Sequence, residues 1–315
     1  MNVAVIGPGR IGRQIALAFA LGGCHVRLVD LKPRPAEQQR NVLIEALVEI
    51  ERDLMLMVDE GVIVHGDAEP TLARIVSRVG LDDLRDVEFV QEAVPEIVEL
   101  KCETFARLCE AVDPNAIIAS GSSTISPKHL VESVTNPERF VAAHWLNPAH
   151  IIPLVEVVAG PKTTETTMNT TIWLLERCGK TPVRCGDSPG FIGPRMQVLL
   201  MNEAVRLVEE GVATPEDVDK AFKAGMGFRY STIGIFEFID WGGVDILHRA
   251  SGFMAKATGE ERFKAARLVN EKIARNELGP KTGRGFFDYE GSRRNEFEVE
   301  KIRALLRQIK RDRLP

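Results

Sequence analysis

A histidine and a glutamate in neighbouring apolar segments are the first candidates for chemistry. His144 ends a strand-like run and Glu156 lies 12 residues further on, in the next one. The segment between them contains Pro148 and ends at Pro153, which predicts an ordered loop that returns the chain beside its start. Glu156 could then hold one imidazole nitrogen, leaving the other to take a hydroxyl proton as a hydride leaves the adjacent carbon. A structural histidine and an outward-facing glutamate are the alternative that spacing alone leaves open.

A glycine-rich turn follows the first apolar run of the chain. Residues Val3–Ile6 lead directly into the pattern GxGxxG, which opens a helix. Gly7 permits a tight turn, Gly9 lets the backbone approach a pyrophosphate, and Gly12 lets the helix pack closely on the strand. Unpaired N–H groups at the helix start favour the negative charge of that pyrophosphate. The residues predicted to contact a dinucleotide here are Gly7, Gly9, Arg10, Ile11 and Gly12.

An acidic residue at the end of the second predicted strand completes this pattern. Asp30 lies 18 residues past Gly12, where a carboxylate can accept hydrogen bonds from the adenosine ribose hydroxyls. The same carboxylate repels the 2′-phosphate of NADP, whereas Lys32 and Arg34 just beyond it could attract that phosphate. Because Asp30 is the better placed, the sequence predicts NAD as the cofactor.

The elements that must position these residues alternate between strands and helices. Helical periodicity appears between the strand-like runs, at 11–21, 36–60 and 100–111. This alternation predicts an α/β fold with a doubly wound, Rossmann-type parallel sheet. The predicted strands are Val3–Ile6, Val26–Asp30, Val87–Gln91, Ala116–Ser120, Phe140–His144, Leu154–Val158 and Pro182–Cys185.

The pattern changes after Asp187, where Ser188-Pro189-Gly190 interrupts regular structure and almost everything beyond is helix-like. We therefore predict two domains, an NAD-binding Rossmann-like domain over 1–187 and an all-helical domain over 188–315. The tail from Glu296 to Leu314 is predicted to be an amphipathic helix packed on the second domain.

Composition indicates an ordinary globular protein with small-molecule partners. Of the 315 residues 44% are hydrophobic and 27% charged, and the net charge of −5 favours neither nucleic acid nor an anionic membrane. No apolar run of membrane-spanning length occurs, and the first residues resemble a core strand instead of a signal peptide. Five scattered cysteines without CxxC spacing predict free thiols, no metal site and a cytoplasmic location.

Six motifs in order resemble the 3-hydroxyacyl-CoA dehydrogenase family, over nearly the whole chain from Met1 to about Tyr289. They are Gly7–Gly12 with Asp30, Glu92–Glu96 with Lys101, Ser122–Thr124, His144–Pro148 with Glu156, Asp187–Phe191, and Lys281–Phe287. The resemblance implies that the chain is an NAD-dependent dehydrogenase. It also implies that the helical second domain forms a homodimer.

The same resemblance assigns roles to the matching positions. It makes His144 the catalytic base and Glu156 its partner. Ser123 and Asn147 would hold the substrate oxygen and the nicotinamide end of the cofactor in place.

Two further matches carry competing interpretations. The resemblance places Glu96 and Lys101 beside the nicotinamide ribose, although they could also form an ordinary ion pair at a helix start. Ser122–Thr124 could equally be a helix N-cap run, since hydroxyl side chains favour such positions.

One departure from the family concerns the helix after the second strand. Members that act on acyl-CoA usually have a lysine-rich helical hairpin there, which meets the CoA phosphates. The stretch Glu37 to Glu60 contains no lysine, and an acidic helix is poorly suited to the negative charges of CoA. Its charged residues are Glu37, Arg40, Glu45, Glu49, Glu51, Arg52, Asp53, Asp59 and Glu60. The simpler interpretation is that the acidic residues form a solvated outer face, which is compatible with a helix that does not bind CoA.

Two other departures follow Phe191. Pro194 stands before Arg195 where the family commonly has an asparagine, so one substrate-oxygen contact is absent or replaced. The segment 225–230 is closer to the branch that includes λ-crystallin/L-gulonate 3-dehydrogenase, carnitine dehydrogenase and pyridine-carboxylate alcohol dehydrogenases, which act without CoA. Arg229 or Arg195 could pair with a substrate carboxylate, and a surface or capping role is the alternative for Arg229.

Together these observations predict an NAD-dependent oxidoreductase that oxidises a secondary or primary alcohol on a small carboxylate-bearing substrate. The alternative of the same class is an (S)-3-hydroxyacyl-CoA dehydrogenase. A non-catalytic NAD-binding protein of crystallin or sensor type is the alternative of a different class, and the intact set Ser123, His144, Asn147 and Glu156 argues against it.

Overall fold

The predicted sheet is present, with eight strands in the order β3-β2-β1-β4-β5-β6-β7-β8. The computed structural model describes residues 1–291 and 293–312. The chain divides into two compact units, Met1–Met201 and Asn202–Pro315, and the whole sheet belongs to the first. The strands are β1 Asn2–Ile6, β2 His25–Asp30, β3 Ile75–Val79, β4 Phe89–Glu92, β5 Ile117–Ser120, β6 Phe140–Trp145, β7 Leu154–Ala159 and β8 Thr181–Cys185.

The sheet departs from the prediction in two respects. Strand β3 was not predicted; it pairs in parallel with β2 at one edge of the sheet. All neighbouring strands run parallel except β6 and β7, which are antiparallel, so β7 and β8 run opposite to the other six. The reversal has a simple cause, because the loop between β6 and β7 is too short to carry a crossover helix.

Seven helices begin in the first unit and cover both faces of the sheet. Alternate residues of β1 point to opposite faces, so Val3 and Val5 join one hydrophobic cluster while Ala4 and Ile6 join the other. Helix α1 contributes Phe19 to the first cluster, where its ring packs edge-on against Trp145. The helices are α1 Arg10–Leu21, α2 Ala36–Asp59, α3 Ala68–Leu72, α4 Val98–Ala111, α5 Pro127–Leu130, α6 Glu165–Arg177 and α7 Gly193–Glu209.

The second unit is helical, as predicted, and the mostly parallel sheet followed by a helical unit confirms the predicted fold class. Its α-helices are α8 Pro215–Phe222, α9 Phe228–Tyr230, α10 Ile235–Gly242, α11 Val244–Thr258, α12 Arg267–Ala274 and α13 Arg293–Asp312, with a π-helical turn at Lys223–Gly227. Short 3₁₀ turns over the chain are His65–Asp67, Val131–Ser133, Pro137–Arg139, Glu261–Phe263 and Pro280–Thr282.

Helix α13, the predicted tail helix, packs on α10 through an ion pair of Lys301 with Glu237. Leu314, the predicted end of this helix, lies outside the described residues. None of the described helices is both long and apolar enough to cross a membrane.

The motif near residue 285 is structural. The buried carboxylate of Asp240 accepts hydrogen bonds from the backbone N–H groups of Phe286 and Phe287 and from the hydroxyl of Tyr289. A Cβ at Gly285 would lie 2.2 Å from Asp240 Oδ1, so only glycine lets the turn approach this closely. The segment therefore closes around a buried acid in the second unit.

Candidate active site

The glycine-rich turn joins β1 to α1 at the point where the strand order reverses, between β1 and β4. Gly7 has φ 111°, and a Cβ there would lie 2.7 Å from Ala93 O. A Cβ at Gly12 would lie 1.8 Å from Gly7 O, whereas at Gly9 it would meet nothing within 4 Å. Among the residues that the structure describes, no side chain caps the start of α1 at Gly9. Two glycines therefore close the turn, and the third leaves space beside free N–H groups, which fits a pyrophosphate.

Asp30 ends β2 on the same edge of the sheet and is only 2% exposed. Its Oδ1 accepts a hydrogen bond from the backbone N–H of Lys32, and its Oδ2 pairs with Arg34 Nε at 3.2 Å. The carboxylate is thus oriented by its own turn at the end of β2.

His144 and Glu156 face each other across the antiparallel strands β6 and β7, where they are register partners. His144 Nδ1 lies 2.7 Å from Glu156 Oε2, and both residues are buried. The other oxygen, Glu156 Oε1, accepts hydrogen bonds from the backbone N–H groups of Ile192 (2.8 Å) and Gly193 (2.7 Å). Because these amides stand at the start of α7, the carboxylate lies at the positive end of the helix dipole. The contact expected between the two side chains is therefore present.

Phe191, the last residue of the motif Asp187–Phe191, is a neighbour of His144 for which no role was predicted. Its ring centroid lies 5.9 Å from that of the imidazole, and its backbone has φ 45°, in the left-handed region that non-glycine residues rarely adopt. Such backbone strain often accompanies functional sites. The preceding Pro189-Gly190 pair was the available signal, because it marks a tight turn directly before the helix. Pro194 occupies the first turn of α7, as expected.

A buried ion pair supports the turn after β5. Lys101 Nζ lies 2.7 Å from Glu92 Oε1, and neither residue is more than 1% exposed. The same ammonium is 3.2 Å from Glu96 Oε2, so the ion pair between Glu96 and Lys101 does form. No role was predicted for Glu92 itself, although an acid ending an apolar strand nine residues before a lysine was a visible signal.

The turn at 122–125 wraps around the other oxygen of Glu96. Glu96 Oε1 accepts hydrogen bonds from the Ser122 hydroxyl and from the backbone N–H groups of Ser123, Thr124 and Ile125. Burial opposes ionisation, but the Ser122 hydrogen bond and the Lys101 charge outweigh it and hold the pKa of Glu96 at about 2. The N-cap of the following helix α5 is Ser126, so the alternative of an N-cap within Ser122–Thr124 is wrong.

Ser123 and Asn147 lie where strands β5 and β6 end. Ser123 is half-buried, three residues past β5, and Asn147 is exposed in the loop after β6. Because β1, β2, β4, β5 and β6 are parallel, their carboxyl ends share one edge of the sheet. That edge carries the glycine turn, Asp30, Ser123 and His144 together.

The two arginines proposed for substrate binding lie in different units. Arg195 is exposed in the first turn of α7, in the first unit. Arg229 belongs to α9 in the second, where its guanidinium stacks on the ring of Phe238 at 4.0 Å. Within the described part of the chain, neither forms a salt bridge with a carboxylate.

Comparison with known families accounts for nearly the whole chain. Residues 2–188 match the NAD-binding domain of 3-hydroxyacyl-CoA dehydrogenase, and residues 190–289 match the C-terminal domain of the same enzyme. The prediction of a Rossmann-type NAD-binding unit is confirmed by this match.

Some relatives are named for a CoA substrate and others are not. A 5-formyl-3-hydroxy-2-methylpyridine 4-carboxylate 5-dehydrogenase from Mesorhizobium japonicum is 33% identical over 306 residues, 97% of this chain and 96% of its own. A lambda-crystallin homolog from Bos taurus is 38% identical over 243 residues, which cover 75% of this chain and 72% of the homolog. The crystal structure of a 3-hydroxyacyl-CoA dehydrogenase from Archaeoglobus fulgidus has a TM-score of 0.77 and 32% identity, covering 98% of this chain and 99% of that one.

Proposed function

This chain belongs to the 3-hydroxyacyl-CoA dehydrogenase family and is an NAD-dependent oxidoreductase acting on a hydroxyl group, and from that premise we propose that it oxidises a small hydroxy acid, not an acyl-CoA thioester. The observation that carries this proposal is the charge of helix α2. The helix has only two cationic side chains, Arg40 and Arg52, and Arg52 is already paired with Glu49 and Asp53. Several carboxylates on its exposed surface would repel the phosphates of CoA.

His144 is proposed as the base. With Glu156 as acceptor, the imidazole carries its proton on Nδ1, and Nε2 keeps a free lone pair for the substrate hydroxyl. Glu156, held by two backbone N–H groups, orients the imidazole and stabilises the imidazolium that forms. NAD held at the glycine-rich turn and Asp30 would supply the hydride acceptor for the carbon that carries the hydroxyl. The protein thus separates the two acceptors, a ring nitrogen for the proton and a cofactor for the hydride.

The remaining roles follow from position and chemistry. Ser123 and Asn147 are proposed to hold the substrate oxygen and the nicotinamide end, while Glu96 and Lys101 organise the turn beside the nicotinamide ribose. Arg195 or Arg229 is proposed to bind the substrate carboxylate, which a guanidinium can hold through two parallel hydrogen bonds. Pro194 contributes no N–H and no amide to this set.

A substrate panel tests the proposal directly. Purified protein is mixed with NAD and, separately, with free 3-hydroxy acids, pyridine carboxylates that bear a hydroxymethyl group, and 3-hydroxybutyryl-CoA, and NADH is followed at its absorbance maximum. We expect higher kcat/KM for at least one free acid than for the thioester. Efficient turnover of the thioester alone would overturn the proposal in favour of a 3-hydroxyacyl-CoA dehydrogenase, the activity named for the Archaeoglobus relative.

We also propose a homodimer through the helical unit. Large apolar side chains on its helices face solvent in the single chain, among them Phe253 on α11, which is 71% exposed, and Phe236 on α10. Apolar patches of this kind commonly mark protein interfaces. Sedimentation at micromolar concentration should give a dimer, and Phe253→Glu should shift it toward monomer, with the exposed polar substitution Lys256→Glu on the same helix as the control. A wild-type monomer would contradict the proposal.

A further inference from the structure

The loop between His144 and Glu156, defined as residues 146–153, is held from two sides by buried polar side chains. One of them is Lys180, which precedes strand β8 and is 8% exposed. Its ammonium donates hydrogen bonds to three carbonyls of the loop, Ala149 O (2.7 Å), His150 O (3.1 Å) and Ile152 O (3.2 Å). A lysine has three donors, so these contacts use its full hydrogen-bonding capacity. Burying a lysine is unfavourable unless its charge is compensated in this way.

The second side chain is Gln14, on the helix that begins at the glycine-rich turn. Gln14 lies two residues past Gly12 and is 8% exposed, and its Oε1 accepts a hydrogen bond from Ala149 N at 2.9 Å. Ala149 itself is fully buried. Both backbone groups of Ala149 are therefore held, the N–H by the cofactor helix and the carbonyl by Lys180. Asn147 lies only two residues before it.

Sheet pairing and loop anchoring are separate in this arrangement. His144 and Glu156 are fixed by the register of β6 and β7 and by the amides at the start of α7. Asn147 lies beyond the last paired residue of β6, so the sheet does not determine its position. Contacts within the loop, such as Ile152 N to Pro148 O, shape it locally without tying it to the sheet.

From these contacts we propose that Lys180 and Gln14 are positioning residues for the dehydrogenase reaction: together they hold residues 146–153, and with them Asn147, at a fixed place relative to the dinucleotide-binding helix. The inference rests on the proposed role of Asn147. Neither side chain touches substrate in this scheme. Each acts through the backbone of Ala149, which couples the geometry of the cofactor turn to that of the substrate loop.

The test compares Lys180→Met, which keeps the length of the side chain but removes the donors, with Lys180→Arg, which keeps the charge and several donors. We expect Lys180→Met to lower kcat/KM for the best wild-type substrate at least about tenfold, because small misplacements of positioning groups have effects of this size. Lys180→Arg should recover part of the loss, and Gln14→Met should show a smaller loss of the same kind. The dissociation constant for NADH should change less than kcat/KM does, since the glycine turn is intact. Lys162→Met is the matched control, as Lys162 is exposed on the loop before α6.

Amide hydrogen exchange without substrate provides the second measurement. Exchange in 146–153 should accelerate in Lys180→Met and Gln14→Met while β6 and β7 stay protected. Unchanged kcat/KM in Lys180→Met, or faster exchange throughout the sheet with no effect of Gln14→Met on turnover, would overturn the proposal. If the proposed substrate class is wrong, the substrate panel with the wild-type protein will show it. The hydrogen-exchange measurement needs no substrate, so its result tests the loop proposal separately.

Discussion

Arg34 Nε lies 3.2 Å from Asp30 Oδ2, so the carboxylate expected to bind an adenosine ribose is paired with the arginine that could have attracted a 2′-phosphate. This pair removes the main reason for expecting NADP, because the guanidinium is partly neutralised by the residue that excludes the phosphate. Only about a quarter of the Arg34 side chain is exposed.

Removing the carboxylate should change cofactor preference. In Asp30→Ser the repulsion is lost and Arg34 becomes free to bind a 2′-phosphate. A charge-assisted hydrogen bond contributes about 1.5–3 kcal/mol, so the preference for NAD over NADP should fall by about ten- to a hundredfold. Steady-state kinetics with both cofactors measure the change. In Asp30→Ser/Arg34→Ala the gain with NADP should disappear, and its persistence would mean that another cation binds the phosphate.

Removing the base should separate chemistry from binding. His144→Ala should lower kcat by about 10²–10⁴, the usual contribution of general-base catalysis, while NADH binds nearly as in the wild type. Glu156→Gln keeps the shape of the side chain but not its charge, and should give a smaller loss. Fluorescence titration with NADH and initial rates provide the two readouts. If His144→Ala loses both turnover and NADH affinity, the histidine is structural.

Cys185 reports on the charge of Glu156. Burial, and then the nearby Glu156 carboxylate, raise the pKa of the Cys185 thiol to about 11. Its alkylation by iodoacetamide at about pH 8 should therefore be slow, since the thiolate is the reactive form. Glu156→Gln removes the negative charge, lowers that pKa and should accelerate alkylation of Cys185, measured by peptide mass spectrometry. Cys109, a partly exposed thiol elsewhere in the unit, serves as the internal reference, and an equal acceleration there would point to general loosening.

Glu96 should contribute to stability in acid. Its pKa falls from an ordinary 4.5 to about 2 in the folded protein, against the effect of burial, through the Ser122 hydrogen bond and the Lys101 charge. A depressed carboxyl pKa stabilises the fold above the unfolded value, and this contribution disappears as the pH falls from 4.5 to about 2.

Glu96→Gln should accordingly be less stable than the wild type near neutral pH. The difference in free energy of unfolding, from urea titrations, should shrink between about pH 5 and about pH 3. Glu99→Gln, on the exposed face at the start of α4, should show no comparable pH dependence. A difference that stays constant over this range would mean that the charge of Glu96 is not what stabilises the turn.

Most of the sheet could be predicted because its strands are buried on both faces. Strands β4, β5 and β6 are completely buried, and β5 and β6 are apolar apart from Ser120 and His144. Strand β3 could not be recognised in this way. It lies at the edge of the sheet, only Ile75 is buried, and Ser77 and Arg78 interrupt its apolar pattern. An edge strand needs its neighbour to identify it, and that information is tertiary.

The candidate site likewise has a part that the sequence predicts and a part that depends on tertiary contacts. The glycine turn and Asp30 are local, since a strand, a turn and a helix place them by sequence spacing alone. The amides that hold Glu156, the ring of Phe191 beside His144, and the pairing of Lys101 with Glu92 all join segments far apart in the chain. No periodicity predicts which distant backbone N–H meets a carboxylate. Those contacts became visible only with the fold.

The direct opposition of His144 and Glu156 across β6 and β7 restricts how this protein can change by insertion or deletion. Successive strand residues point to opposite faces, so losing or gaining one residue in β7 ahead of Glu156 would turn its carboxylate away from the imidazole. Two extra residues would restore the face but displace the carboxylate by about 6.6 Å, two steps along a strand. The length of the strand leading to Glu156 is therefore closed to variation in any descendant or design that keeps the base.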